Sequence, residues 1–265
     1  MTRRRLDAEL VRRGLATSRA EAQDAVRAGL VSVAGTPATK AATMVADDVP
    51  VELAGPARRF VSRGGEKLDA ALGRFDIDPA GLACLDAGAS TGGFTDRLLR
   101  GGAAHVTAVD VGYGQLAWSL RTDERVTVLE RTNVRELHPG DLPMPADLVV
   151  ADLSFISFRL VLPALVGVAV PAAAFVALVK PQFEAGPADV ARGGVVRDPA
   201  VWRRVLDEVT TAFDAEGVTP QGLMASPVLG PAGNVEFLLY ARRAAAPVSI
   251  DREAVLAEAE EVRTS

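Results

Sequence analysis

Asp86-Ala87-Gly88-Ala89-Ser90-Thr91-Gly92-Gly93-Phe94 is the stretch that decides the fold, because an apolar, strand-like segment ends there. Glycine is needed at such a point, since the backbone must turn sharply and let a ligand lie against it. The next strand-like segment ends in the acidic residue Asp110. A glycine-rich turn after one strand and an acid after the next are typical of nucleotide-binding α/β folds, in which the acid accepts hydrogen bonds from ribose hydroxyls.

Strand-like and helix-like segments alternate after this turn, which predicts an α/β fold with a seven-stranded, mostly parallel sheet. The strands are predicted near Ala83–Ala87, His105–Asp110, Val126–Glu130, Leu148–Asp152, Phe175–Val179, Gly222–Ser226 and Val235–Ala241. Helices are predicted near Gly92–Arg100, Gln115–Arg121, Phe158–Val168 and Pro199–Glu216, with an acidic surface helix from Ser249 to Arg263.

The segment before this fold predicts a small, basic α+β module. A helix is expected around Leu6 and Leu10, and a second helix from Ser18, which forms a capping-box spacing with Glu21. Short strands are expected at 30–33 and 49–53. Residues 1–67 hold 12 Lys and Arg against 8 Asp and Glu, whereas the remainder holds 17 against 26. This asymmetry indicates a local contact with a polyanion, although a solvated surface with chance clustering explains it equally well.

Composition divides the chain into four parts: the basic module (1–57), a linker rich in Gly and Arg (58–65), the α/β domain (66–243) and a C-terminal tail (244–265). No apolar run approaches the roughly 20 residues that span a bilayer, and the N-terminus does not resemble a secretion signal. One cysteine and two separated histidines predict neither a disulfide framework nor a metal site. We therefore expect a cytoplasmic, metal-independent protein.

The glycine-rich turn lacks the Lys-Ser/Thr of a phosphate-binding P-loop. It resembles the first motif of class I methyltransferases, which predicts S-adenosyl-L-methionine as the cofactor. An ordinary turn in another Rossmann-like enzyme is the alternative. A role for Asn133 at the adenine edge competes with a role as a helix cap. The candidate cofactor-binding residues are Asp86, Gly88, Ala89, Ser90, Gly92, Gly93, Phe94, Asp110, Val111, Asn133 and Asp152.

Four charged residues lie at or near the ends of predicted strands: Lys67, Asp152, Lys180 and Glu236. Each alone is most often a solvated charge. Ligands bind beyond the carboxyl ends of parallel strands, however, so Asp152 and Lys180 should share one crevice, which Glu236 joins if the last strand is antiparallel. The Asp/Asn-Pro-Pro-aromatic motif of amino-directed enzymes is absent, and Cys84 lies inside a strand, where a small buried side chain is expected rather than a nucleophile.

These four residues resemble the Lys-Asp-Lys-Glu tetrad of FtsJ-like ribose 2′-O-methyltransferases. The front module resembles the S-four (S4) RNA-binding domain in Arg5-Leu6-Asp7, Gly14-Leu15-Ala16 and Gly29-Leu30-Val31-Ser32-Val33. Together they resemble the TlyA family, often labelled hemolysin A-like. Arg58-Arg59-Phe60-Val61 is similar to that family's Arg-Ala-Trp-Val linker, with Arg59 and Phe60 as departures that leave a role of the linker in cofactor binding open.

The resemblance implies 2′-O-methylation of cytidines in small- or large-subunit ribosomal RNA, with ribosomal subunits as partners and no membrane partner. Lys180 would be the general base, and Asp152 and Glu236 would fix the geometry of lysine and ribose. The residues expected to hold the RNA backbone are Arg3, Arg4, Arg5, Arg12, Arg19, Arg27, Lys40 and Arg63. The loop around Arg192-Gly193-Gly194 and Arg197 either closes on RNA or is simply solvated.

Three alternatives remain from sequence alone: a non-catalytic ribosome-assembly factor, a membrane-lysing protein and a small-molecule O-methyltransferase. Transfer of labelled methyl groups discriminates the first, and liposome leakage the second. A small-molecule enzyme would leave the front module without a purpose.

Overall fold

The computed structural model describes residues 3–16, 19–54, 59–191 and 193–264. The chain divides into two compact units, Met1–Val61 and Ser62–Ser265, and each is described by itself. Three features of the sequence prediction lie outside the described residues: the helix start and capping residue Ser18, the linker residue Arg58 and the loop residue Arg192.

The described residues of the first unit form two helices and five short strands. These are β1 (Arg3–Arg5), α1 (Leu6–Arg12), α2 (Arg19–Arg27), β2 (Val31–Val33), β3 (Thr36–Pro37), β4 (Met44–Ala46) and β5 (Val51–Leu53). Strands β3, β2 and β5 form one antiparallel sheet, and β1 pairs with β4 in another. The helices bury Leu6, Leu10 and Val26 against Val31 and Val45, which gives this small unit its own apolar core.

The second unit is built on a seven-stranded sheet in the order β11-β12-β10-β9-β6-β7-β8. Strand β12 is antiparallel to both of its neighbours, and the other pairings are parallel. The strands are β6 (Ala83–Ala87), β7 (His105–Asp110), β8 (Val126–Glu130), β9 (Ala146–Ala151), β10 (Ala169–Val179), β11 (Val218–Ala225) and β12 (Phe237–Arg243). The prediction of a Rossmann-like, mostly parallel sheet is confirmed.

Helices cover the sheet and bury its apolar side chains. They are α3 (Gly64–Arg74), α4 (Gly93–Arg100), α5 (Trp118–Arg121), α6 (Phe158–Gly167), α7 (Pro181–Glu184), α8 (Pro199–Ala215) and α9 (Arg252–Thr264), with short 3₁₀ turns at Val134–Glu136 and Pro187–Asp189. The largest wholly buried side chains, Trp202, Phe175, Phe213 and Phe237, belong to α8, β10 and β12. Helix α9 buries Val255, Leu256 and Ala259 in this core, so the C-terminal tail is a packed element rather than a purely surface helix.

Helix α3 is absent from the sequence prediction, and it begins at Gly64, inside the stretch 58–65 that was expected to be a linker. Adjacent glycines usually end helices, but here they allow close packing. A Cβ on Gly93 of α4 would come within 2.8 Å of the Gly65 amide nitrogen, so α3 and α4 meet where side chains are missing. Strand β12 begins at Phe237, which places Glu236 just before the strand rather than inside it.

Candidate active site

Lys180 and Asp152 form a close ion pair at the carboxyl edge of the sheet. Lys180 follows the last residue of β10, and its Nζ lies 2.6 Å from Asp152 Oδ1. The same Nζ donates a hydrogen bond of 2.9 Å to Ser154 Oγ. Only 9% of the Lys180 surface is exposed. An ion pair with Asp152 and a hydrogen bond to Ser154 therefore hold the ammonium group in a largely covered position.

Lys67 and Glu236 form a second pair, more deeply buried. Lys67 Nζ donates to Glu236 Oε2 at 2.5 Å, and the two residues expose 7% and 1% of their surface. Lys67 lies on the first turn of α3, and Glu236 immediately precedes β12. Burial of this degree is tolerated for charges only when each has a partner.

The strand register brings the two pairs to the same edge. Val179 of β10 pairs with Phe237 of the antiparallel strand β12, and the backbones of paired strands lie about 5 Å apart. Lys180, which follows Val179, and Glu236, which precedes Phe237, therefore lie next to each other. On the other side of β10, Ala177 pairs with Ala151 of β9, after which comes Asp152. The tetrad expected from the sequence is thus assembled as two ion pairs at the ends of β9, β10 and β12.

The glycine-rich turn lies directly beside Asp152. Gly88 has a φ of +86°, and a Cβ at this position would overlap the carbonyl oxygen of Asp152. The amide nitrogens of Gly88 and Ala89 both donate to the carbonyl oxygen of Val109, at 2.8 and 3.1 Å. The turn is therefore tied to β7 on one side and closely approaches β9 on the other.

Asp86 is wholly buried beneath this turn. Its Oδ2 accepts hydrogen bonds from the Thr95 amide nitrogen at 2.9 Å and from Thr95 Oγ1 at 2.6 Å. Its Oδ1 is buried and has no hydrogen-bond partner among the described residues. Burial raises the pKa of the Asp86 carboxyl group to about 7. A buried acceptor without a partner is rare in native proteins and marks a place where a donor from a ligand fits.

Asp110 ends β7 and organises the adjoining loops. Its Oδ2 accepts a hydrogen bond of 2.8 Å from the Ser90 amide nitrogen, and its Oδ1 one of 2.7 Å from that of Gly112. Val111, the next residue, exposes 70% of its surface. Two backbone donors fix the carboxylate, and each of its oxygens keeps further capacity to accept from a ribose hydroxyl.

The remaining predicted cofactor residues lie in two different settings. Gly92, Gly93 and Phe94 are buried. A Cβ on Gly92 would overlap Leu120, and Phe94 packs beside Gly64, so these residues join α4 to its neighbours. Asn133 accepts a hydrogen bond of 3.1 Å from the Arg135 amide nitrogen and caps a 3₁₀ turn, as the capping alternative expected. Its role at an adenine edge stays a prediction.

Comparison with known proteins gives the family. The profile of FtsJ-like methyltransferases matches residues 60–243, and that of the S4 domain matches residues 4–48. The chain belongs to the FtsJ-like methyltransferase family. A relative from Mycobacterium tuberculosis, the 16S/23S rRNA (cytidine-2′-O)-methyltransferase TlyA, is 56% identical over 91% of this chain and 90% of its own length.

Two further relatives carry hemolysin names. Hemolysin A of Brachyspira hyodysenteriae is 37% identical over 89% of this chain and 98% of its own length. A solved hemolysin structure from Streptococcus thermophilus has a TM-score of 0.80 at 38% identity, covering 100% of this chain and 98% of that one. Among the described residues of the FtsJ-like methyltransferase, no helix has the length and apolar character needed to cross a bilayer.

The residues of the FtsJ-like domain fit S-adenosylmethionine. The nucleoside part requires a turn without side chains and an acid at the end of the next strand, which Gly88 and Asp110 supply. The methionine part carries positive charge, which the partnerless Oδ1 of Asp86 is suited to accept. The expectation that the site needs no metal stays a prediction.

Four contributors to this site were not singled out from the sequence. Ser154 holds Lys180, and Thr95 holds Asp86. Glu184 accepts from Ser157 Oγ at 2.6 Å and from the Phe158 amide nitrogen at 2.8 Å, which fixes the far end of the loop that carries Ser154. Asp-x-Ser spacing after a strand was the available signal for Ser154. No pattern in the sequence pointed to the other contacts, because they depend on how the loops fold.

Phe155 is the fourth of these contributors. It exposes 89% of its surface, has a φ of +63° and lies 4.8 Å, centroid to centroid, from the ring of Phe183. A bulky residue with a positive φ is a rare conformation that tends to occur at functional sites.

Cys84 is buried in β6, and burial raises the pKa of its thiol to about 12, so the alternative of a cysteine nucleophile has no support.

The residues expected to contact RNA lie mostly at the surface. Arg4 is half-buried and paired with Asp47. The other seven are exposed: Arg3, Arg5, Arg12, Arg19, Arg27, Lys40 and Arg63. In the FtsJ-like domain the loop around Gly194 is held by buried Asn234, whose Nδ2 donates to the Gly194 carbonyl at 2.8 Å. This loop is thus attached to the segment that leads to Glu236.

Proposed function

We propose that this FtsJ-like methyltransferase transfers a methyl group from S-adenosylmethionine to the ribose 2′-hydroxyl of cytidine in ribosomal RNA. The observation that carries the proposal is the buried pairing of Lys180 with Asp152 and of Lys67 with Glu236 beside the Gly88 turn. A relative that is 56% identical over most of both chains bears that activity in its name. Ribosomal subunits are then the partners, which places the reaction in the cytoplasm.

Methyl transfer to a hydroxyl requires alignment and a proton acceptor. When bound, S-adenosylmethionine supplies an electrophilic methyl group. Only a deprotonated lysine can act as a base; in that form Lys180 would take the proton of the 2′-hydroxyl as that oxygen forms its bond to the methyl carbon. The bond between this carbon and the sulfur of the cofactor would break at the same time, which leaves a neutral thioether. Asp152 and Ser154 hold Nζ in one direction, so the amine meets the hydroxyl without a search over rotamers.

The second pair has a positioning role in this proposal. Glu236 is fixed by Lys67 and lies beside Lys180 at the end of the neighbouring strand. Its second oxygen, Oε1, is directed toward Gly230, where a Cβ would come within 2.5 Å. A carboxylate held this firmly orients a ribose hydroxyl by accepting a hydrogen bond from it. Exposed Phe155 offers an aromatic face to an unstacked base at the entrance.

The S4 domain supplies affinity for RNA. Exposed arginines of this domain contact phosphates without reading sequence, and such binding weakens as salt concentration rises. Selection of the target nucleotide then depends on where the ribosomal surface presents an accessible ribose to the tetrad.

The test is methyl transfer to isolated small and large ribosomal subunits with labelled S-adenosylmethionine, followed by mass-spectrometric mapping of ribose methylation. We expect label on the 2′-oxygen of cytidine, and a loss of about 10²- to 10⁴-fold in Lys180→Ala. Lys180→Arg keeps the positive charge but cannot act as a base, so it should be equally inactive. Base-directed label, or turnover of Lys180→Arg within tenfold of wild type, would contradict the proposal.

A further inference from the structure

Asp7 of the S4 domain is a buried carboxylate surrounded by arginines. It exposes none of its surface, although it lies on the first turn of the short helix α1. Arg5 donates to it twice, from Nε at 3.1 Å and from Nη2 at 2.9 Å. Arg19 donates from Nη2 at 3.1 Å, and Gln23 from Nε2 at 3.0 Å. One side chain thus connects β1, α1 and α2.

The arrangement holds two like charges together. The Nη2 atoms of Arg5 and Arg19 both bind Oδ2 of Asp7, so the two guanidinium groups are neighbours despite their mutual repulsion. The hydrogen bond from Arg5 holds the pKa of Asp7 well below its usual range, which keeps the carboxylate charged wherever RNA is bound. Asp7 takes the donors on one edge of Arg5, and a guanidinium has five donors in all.

Both arginines also remain open to solvent. The side chains of Arg5 and Arg19 are 45% and 57% exposed, whereas that of Asp7 is covered completely. A phosphate approaching this surface meets two guanidinium groups whose orientation is already fixed, while the carboxylate of Asp7 stays covered. A side chain that is already fixed loses no conformational entropy when it binds, whereas a mobile side chain of this length would.

Glu9, a second buried carboxylate among the described residues of this domain, lies in a different setting. It binds Arg13 Nε at 2.7 Å, but the remaining donors of Arg13 go to the carbonyl oxygens of Val49 at 2.8 Å and Asp47 at 3.1 Å. Arg13 is therefore committed to holding α1 against the β4–β5 connection. Arg12, the last residue of α1, also binds Glu9, from Nε at 2.8 Å and from Nη2 at 2.5 Å, and its side chain is half exposed. The Asp7 cluster differs because its two half-exposed arginines come from separate elements and bind the same carboxylate oxygen.

We propose that Asp7 is a positioning residue for RNA, whose carboxylate sets Arg5 and Arg19 side by side as one clamp for the phosphate backbone. The inference rests on the proposed function, in that the S4 domain holds the ribosomal RNA. In this inference an acidic residue strengthens the binding of a polyanion. A purely electrostatic account predicts the opposite, because removal of a negative charge should strengthen binding.

The experiment measures binding of the full-length protein to purified 16S and 23S ribosomal RNA between 50 and 200 mM salt. Asp7→Asn should bind about tenfold more weakly than the wild type. The slope of the logarithm of the binding constant against the logarithm of salt concentration should be smaller by about one to two, as expected when one or two phosphate contacts are lost. Asp48→Asn removes an exposed charge from the same domain and serves as the matched control, with binding equal to or tighter than wild type. Equal or tighter binding by Asp7→Asn would overturn the inference.

A double-mutant cycle separates positioning from a loss of folding. In the background Arg5→Ala with Arg19→Ala, adding Asp7→Asn should change the affinity less than twofold, because its targets are gone. A further tenfold loss in that background would show that Asp7 acts on the fold as a whole, and would overturn the inference. Methyl transfer by the wild type, measured in parallel, tests the proposed function separately. A wild-type protein that binds no ribosomal RNA would overturn both.

Discussion

Replacement of Asp86 by Asn tests the electrostatics of the cofactor site. Asp86 is completely buried in β6, and burial raises the pKa of its carboxyl group from 3.8 to about 7. Asn keeps an oxygen that accepts the two hydrogen bonds from Thr95, but its side chain does not titrate. Asp86→Asn should therefore remove one contribution to the pH dependence of stability while it preserves the local contacts.

The sign follows from where the proton is bound. Between pH 3.8 and about 7 the folded protein keeps the proton on Asp86, whereas the unfolded chain releases it. The free energy of unfolding therefore falls by about 1.4 kcal/mol per pH unit through this range and becomes level above it. From pH 5 to pH 8 the wild type should lose about 3 kcal/mol through this one group. The cost of burying the amide in Asn is the same at both pH values and cancels from the comparison.

Urea unfolding at pH 5 and pH 8 measures this difference. Trp118 and Trp202 both lie in the unit Ser62–Ser265, so their fluorescence follows the unit that contains Asp86. Glu184→Gln is a second test rather than a control: burial also raises the pKa of Glu184, so this variant should also lose less stability than the wild type between pH 5 and pH 8. If Asp86→Asn loses as much stability as the wild type between pH 5 and pH 8, the assignment of a buried, protonated carboxyl group is wrong.

Three further variants test the geometry of the site. Gly88→Ala should abolish cofactor binding measured by calorimetry, because the added Cβ would overlap the Asp152 carbonyl oxygen. Gly140→Ala is the control: Gly140 also has a positive φ but open space around it, so this variant should bind the cofactor as the wild type does. Ser154→Ala should lower kcat about tenfold with little change in KM for the cofactor, because Lys180 loses the hydroxyl that accepts its hydrogen bond. An unchanged kcat would exclude this role. Lys67→Met should lower the free energy of unfolding, measured with urea, by about 3 to 5 kcal/mol, because buried Glu236 loses its partner. Adding Glu236→Gln should restore part of that free energy. If it restores none, the loss comes from packing and not from charge.

The strands on one side of the parallel sheet were predictable, although β6 and β7 are buried and the edge strand β8 is only partly buried. β6, β7 and β8 occupy the residues expected from the sequence, since a short apolar run bounded by turn residues has few other structures available. The positions of the charged residues followed from the same reasoning, because a residue that ends a parallel strand must lie at the carboxyl edge. Pairing between particular charges did not follow, since it depends on the register of β10 with β9 and β12.

The elements that the sequence failed to predict are held by distant contacts. β1 consists of three arginines with no apolar alternation, and it exists because its backbone pairs with β4, Arg3 opposite Ala46. β10 begins at Ala169 rather than near Phe175, although it contains Pro171 and its register with β9 shifts between Ala169 and Ala174. Local propensity is a weak guide wherever pairing across the sheet decides the conformation.

The two units differ in net charge. Residues 62–265 hold 19 Lys and Arg against 27 Asp and Glu, so the catalytic unit is negatively charged and by itself repels a polyanion. Residues 1–61 hold 10 against 7, and under the proposed function their exposed arginines would supply the attraction that the catalytic unit lacks. A tetrad of two buried ion pairs gains nothing from a positive surface, because its charges are already compensated. Affinity for RNA and methyl transfer can then change independently, and the salt dependence of binding should come from the S4 domain while the catalytic step depends on Lys180.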